Sequence, residues 1–150
     1  MDEDQELKEK RERIAEARRK REAMVAAREK KAEAARLDAE LALEEQRLRD
    51  EPEIDKAIAE HGPLGIKTAV VETPLGAIVV KRPNHLHYKR FLDKASTKTD
   101  DLWALVRTCI VYPDVAKVNA ICEEYPALVV TLADACVDLA GHRKSELAPK

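Results

Sequence analysis

The triplet Asp50-Glu51-Pro52 divides this chain into two kinds of sequence, and that division constrains the fold more than any other feature. The residues before it contain no glycine and no proline. They are almost all Glu, Lys, Arg, Ala, Leu and Gln, which lose least on entering a helix. A long single helix is the expected outcome. After Pro52, prolines, glycines and β-branched runs cut the chain into short elements. The predicted fold is mainly α with one β-hairpin (α+β): a long charged N-terminal helix followed by a small hairpin-plus-helices domain. In residue ranges, 1–50 form a charged helical arm, a coiled-coil candidate, and 51–65 a short helix and linker. Residues 66–142 form the hairpin with three to four helices, and 143–150 a disordered tail.

The arm shows two apolar stripes. Leu7 and Ile14 are seven apart, Met24 and Val25 lie mid-helix, and Ala34, Leu37, Leu41 and Leu48 follow at helical steps. A continuous heptad seam needs apolar residues near positions 21 and 28, where Arg21 and Arg28 stand. Two readings stay open: a solvated helix that pairs weakly, and a true coiled-coil or partner-binding arm. The arm carries 14 Lys/Arg against 15 Asp/Glu, and the whole chain 27 against 29 for a net charge of -2. On that balance nucleic acid is not an expected partner. No apolar run approaches a membrane span, and the acidic N-terminus lacks signal-peptide order, so the expectation is a cytoplasmic protein with no membrane partner.

Within the domain, Pro52 fits the first turn of a second helix over about 53–60, ended by Gly62-Pro63. Residues 66–72 and 77–81 flank Thr73-Pro74-Leu75-Gly76 as a β-hairpin, and 77–80 offer an apolar strand edge open to strand addition. Asn84 is the expected cap of a helix to about Lys94, and Thr99 the cap of the next. Leu102, Trp103, Leu105, Val106, Cys109 and Ile110 form that helix's apolar face, Pro113 breaks it, Asp114 starts another, and Pro126 opens the last, which ends at Gly141. From Ala127 to Ala140 the last helix has only Thr131, Asp134 and Asp138 as polar positions, so it is either central to the fold or covered by a partner. Trp103, Val106, Ile110, Leu128, Leu132 and Val137 are the candidate partner-binding residues, lining or supporting an apolar groove.

Catalytic constellations are not found. His85 and His87 are two apart on a helix and point to different sides; Cys109, Cys122 and Cys136 sit in apolar patterns and read as core thiols; and four glycines build no phosphate-cradling loop. The expectation is no enzyme activity, no cofactor, no metal and no catalytic residue.

The order from Val70 to Gly141 carries a resemblance. A hairpin leads to Val79-Val80-Lys81-Arg82-Pro83. Then come Tyr88-Lys89-Arg90-Phe91, the run Trp103 through Cys109 to Tyr112-Pro113, and Tyr125-Pro126 before a Leu-Ala-Gly ending. This resembles the small tail assembly chaperones of long-tailed bacteriophages. The resemblance implies a non-enzymatic chaperone, in host cytoplasm, that binds apolar helices of a tape-measure protein and helps recruit tail-tube subunits. The arm lies outside that pattern and is a candidate for homo-oligomer formation. The rival expectation is a structural coiled-coil adaptor or scaffolding protein of a virion or other assembly.

Overall fold

A computed structural model describes residues 2–94 and 98–141, so the tail expected over 143–150 lies outside the described residues. The chain divides into two compact units, Met1–Ala42 and Leu43–Lys150. Its elements are α1 (Glu3–His61), β1 (Thr68–Thr73), β2 (Gly76–Lys81), α2 (His85–Lys94), α3 (Thr99–Cys109), β3 (Ile110–Tyr112), α4 (Val115–Glu124) and α5 (Leu128–Leu139). The α+β class is as expected, with one strand more than the hairpin.

The first unit consists of helix α1 up to Ala42, and every side chain from Asp2 to Ala42 is exposed. It is held by local terms. Glu3, Asp4 and Glu6 occupy the first turn, where the helix dipole favours anions. Lys20 pairs with Glu16 at 3.4 Å and Arg36 with Glu33 at 3.8 Å. Exposed pairs of this kind contribute only tenths of a kcal/mol.

The expected break at Pro52 does not occur. α1 runs through it to His61, and Gly62, at φ 112°, ends the helix. Proline removes one helical hydrogen bond and crowds the carbonyl four residues back, here that of Leu48. Leu48 and Pro52 both lie on the exposed side of the helix. The turns around Pro52 are held from the other side, where Asp50, Ile54 and Ala57 are buried.

The sheet is an antiparallel meander in the order β1-β2-β3. Successive residues of a strand face opposite sides, and both faces are covered. Ala77 and Val79 pack with Ile54 and Ala57 of α1, while Ile78 and Val80 join the main core with α3, α4 and α5. That double burial explains the unbroken apolar run 77–80. It also corrects the expected open edge there, because β2 is the central strand and β3 occupies its second side. Ile110 therefore lies on a strand and not on helix α3. A short Ile-Val-Tyr run continues the apolar rhythm of the preceding helix, which concealed the change of period.

One side chain joins α1 to the sheet. Thr73 and Gly76 flank a two-residue turn and form a hydrogen-bonded pair, so alternation leaves the Ala77 N–H pointing away from β1. β3 reaches only as far as Val79. The Asp50 carboxylate takes the missing place: Ala77 N–H donates to Oδ2 at 2.8 Å, and the Tyr112 hydroxyl and Gln46 amide donate to Oδ1 at 2.6 and 2.8 Å. Gly76 permits this approach. A Cβ there would stand 2.8 Å from Gln46 Cγ and 3.0 Å from Asp50 Oδ2, at a backbone φ of 126°.

Further along, Arg82 donates to the Leu139 and Ile66 carbonyls, both at 2.9 Å, tying the end of α5 to the loop after α1. Asn84 Oδ1 accepts from Leu86 N–H, as its expected capping role requires, and Asp114, expected only to start its helix, caps it by accepting from Lys117 N–H at Oδ1. Thr99 is not a cap. Lys98 holds the N-cap position without a side-chain capping hydrogen bond, and Thr99 is the first helical residue.

Candidate functional site

The six partner-binding candidates converge on one core cluster and divide into two kinds. Val106 and Leu132 are fully buried, whereas Trp103, Ile110, Leu128 and Val137 are partly buried against the cluster. Val106 and Leu132 thus cannot line a surface and act only as its support. α5 is chiefly a central helix, burying Val129, Leu132, Ala133, Cys136 and Leu139; Val130, 52% exposed, is its large apolar residue in solvent.

Trp103 is the candidate that reaches a concave surface. At the junction of α3, α4 and the start of α5 it shares a cleft of about 220 Å³ with Cys122, Pro126 and Val129, with Asp100, Asn119 and Glu123 also in the lining. The cleft follows from local chemistry. The Asp114 cap starts α4, Tyr125 N–H closes it on the Ile121 carbonyl at 2.9 Å, and Leu128 N–H bonds the Tyr125 carbonyl at 3.0 Å. The chain so turns within Tyr125-Pro126-Ala127, bringing Pro126 and Val129 to Trp103. Sequence reading named Trp103 but missed Cys122, Pro126 and Val129, since the first two were assigned to core and punctuation.

Chemically this cleft can hold an apolar side chain at an acidic rim. Burial pushes the Cys122 thiol up, which keeps it protonated and poor as a nucleophile. The hydrogen bond with Cys109, followed by burial, pushes the Cys136 thiol up as well, and all three thiols are buried.

A second cleft of about 510 Å³ lies between α2 and α3, lined by His87, Arg90, Phe91, Lys94, Asp101 and Thr108 among others. Lys94 Nζ is 3.4 Å from Asp101 Oδ1 across it. Among the described residues no group of three or more His, Cys, Asp or Glu is placed to hold a metal ion. No helix there is long and apolar enough to cross a membrane.

The Asp50–Tyr112 pair links α1 to β3 through a hydrogen bond of 2.6 Å. Burial alone would raise the Asp50 carboxyl, but the bonds from Tyr112, Ala77 and Gln46, with the charge of Lys117, outweigh it and hold the group below its ordinary range. Burial, the bond to Asp50 and its charge push Tyr112 up to about 12. The two groups are driven apart in pKa, so neither exchanges a proton near neutrality. The pair is a structural joint.

Residues 76–148, from β2 onward, match a family described as Domain of unknown function (DUF6848). No curated protein and no solved structure matches the chain.

Proposed function

We propose that this chain is a non-enzymatic assembly chaperone that holds an apolar helix of another protein, and that it serves phage tail assembly, with a tape-measure protein as client and tail-tube subunits as recruits. One observation carries the binding reading: the chain's single tryptophan is partly exposed in an apolar cleft beside Pro126 and Val129. Tryptophan in such a setting is the side chain most often found to dominate protein binding. The tail-assembly reading adds the resemblance over Val70–Gly141.

Co-expression of the full chain with a tape-measure protein tests this directly. The expected result is co-purification that falls at least tenfold in Trp103→Ala, a loss of about 1.4 kcal/mol or more. A folded Trp103→Ala chain that captures its client as well as the parent would remove the cleft from the account. If no tape-measure protein is captured at all, the tail-assembly role goes with it.

A second reading, the structural coiled-coil adaptor, draws on Leu37 and Leu41, which are 53% and 60% exposed on one helix at a four-residue step. It predicts a stable oligomer whose size does not change on dilution, measured by sedimentation.

A further inference from the structure

The near-neutral arm conceals a segregated helix face. Between Lys10 and Lys31 stand ten basic residues against four acidic ones, whereas Asp2–Glu9 carries five acids and only Lys8. At about 100° per residue, Lys10, Arg13, Lys20, Arg21, Arg28 and Lys31 fall within roughly 100° of arc, a stripe ~30 Å long. Glu12, Glu16, Glu22 and Glu29 all fall outside that arc. The stripe exists because this segment is one uninterrupted helix, and all of its side chains are exposed. Lys20 leans towards Glu16 at its edge, 3.4 Å away, in a solvated pair that a stronger anion can displace.

We propose that this stripe binds the phosphate backbone of double-stranded DNA without regard to sequence. The expectation of no nucleic-acid partner rested on charge averaged around the helix, and a linear polyanion meets one face only. A bare helix, about 10–12 Å across, is matched to the B-form major groove, about 12 Å wide. A membrane surface fits less well. The stripe's arc includes only Met24 as a large apolar residue, and residues 1–50 contain no aromatic side chain to seat in the interface. The same lack of aromatics removes the stacking platform that single strands use. Acidic residues at Asp2–Glu9 and beyond Ala32 confine the footprint to the stripe.

The test is fluorescence anisotropy of the full chain with a labelled mixed-sequence DNA duplex longer than the stripe, across a salt series. Six phosphate contacts predict a slope of log affinity against log salt of roughly -5. The triple variant Lys20→Gln, Arg21→Gln, Arg28→Gln keeps good helix formers. It should lower the slope to roughly -3 and weaken binding more than about tenfold at about 50 mM salt. The off-stripe triple Arg11→Gln, Arg19→Gln, Lys30→Gln changes net charge equally and should stay within about threefold of the parent. Circular dichroism checks that both triples remain helical. Absence of duplex binding at about 50 mM salt, or equal losses in the two triples, would overturn the proposal. So would binding to vesicles of phosphatidylserine and phosphatidylcholine, or to a single strand, in preference to the duplex.

Discussion

Residues 3–42 and the stretch of α1 from Leu43 to His61 are the same helix by local chemistry, yet different forces hold them. The first buries nothing and relies on propensity and exposed ion pairs; the second buries Asp50, Ile54 and Ala57 against a sheet. Helix formation alone is weakly cooperative, whereas burial makes unfolding cooperative. The difference teaches that a helix can be continuous in structure and still be two objects in stability. Heating is therefore expected to give a broad loss of helix from the first unit and a sharp transition from the second.

The hardest blow to that comparison is aimed at the core. Leu132→Asp places a charge where no solvent reaches and should abolish the sharp transition while the broad one survives, as followed by circular dichroism. Leu132→Ala should cost about 2–5 kcal/mol. Neither change is a fair test of binding, because Leu132 supports the surface from within.

Next comes the joint itself. Asp50→Ala leaves the Ala77 N–H and the Tyr112 hydroxyl without their acceptor and should cost about 3 kcal/mol, lowering the sharp transition by on the order of 10 °C. The same joint sets a pH dependence. Asp50 titrates lower folded than unfolded, so its contribution is complete above the unfolded carboxyl range and is lost as pH falls through the depressed folded value. Tyr112 titrates higher folded, at about 12, so its contribution holds below the unfolded value near 10 and is lost as pH rises towards 12. Denaturation curves at acid, neutral and alkaline pH should show this plateau in the parent, and a flatter profile in Asp50→Ala.

A smaller effect is expected from Gly76→Ala, where the new methyl meets Gln46 and Asp50 and the backbone is left-handed. About 1–2 kcal/mol is expected, and a chemical denaturation midpoint measures it. Smallest of all is Lys20→Gln, which removes only a solvated pair and should leave both transitions in place.

Much of this was legible in the sequence, and the misses share a cause. The long helix, the hairpin around Thr73-Pro74-Leu75-Gly76, the Asn84 cap and the helix start at Asp114 follow from local propensity and turn chemistry, which neighbouring residues determine. Pro52 was misread because its local meaning, a first-turn residue, was overruled by burial of Asp50 and Ile54 on a sheet distant in sequence. Strand β3 was hidden for the same reason: only its pairing with Val79 and Val80 makes Ile110–Tyr112 a strand. In the cleft, Trp103 could be picked out by type, but Cys122, Pro126 and Val129 become its neighbours only through the turn from α4 to α5.

Trp103 offers the most direct test of the binding account, because the chain has no other tryptophan and its emission reports on the cleft alone. Purified full-length chain would be titrated with an apolar helical fragment of a tape-measure protein and the emission maximum followed. The account predicts a saturable blue shift as the indole leaves water, absent when the fragment's apolar face is replaced by serine. Binding that saturates by light scattering while the Trp103 emission stays fixed would contradict it.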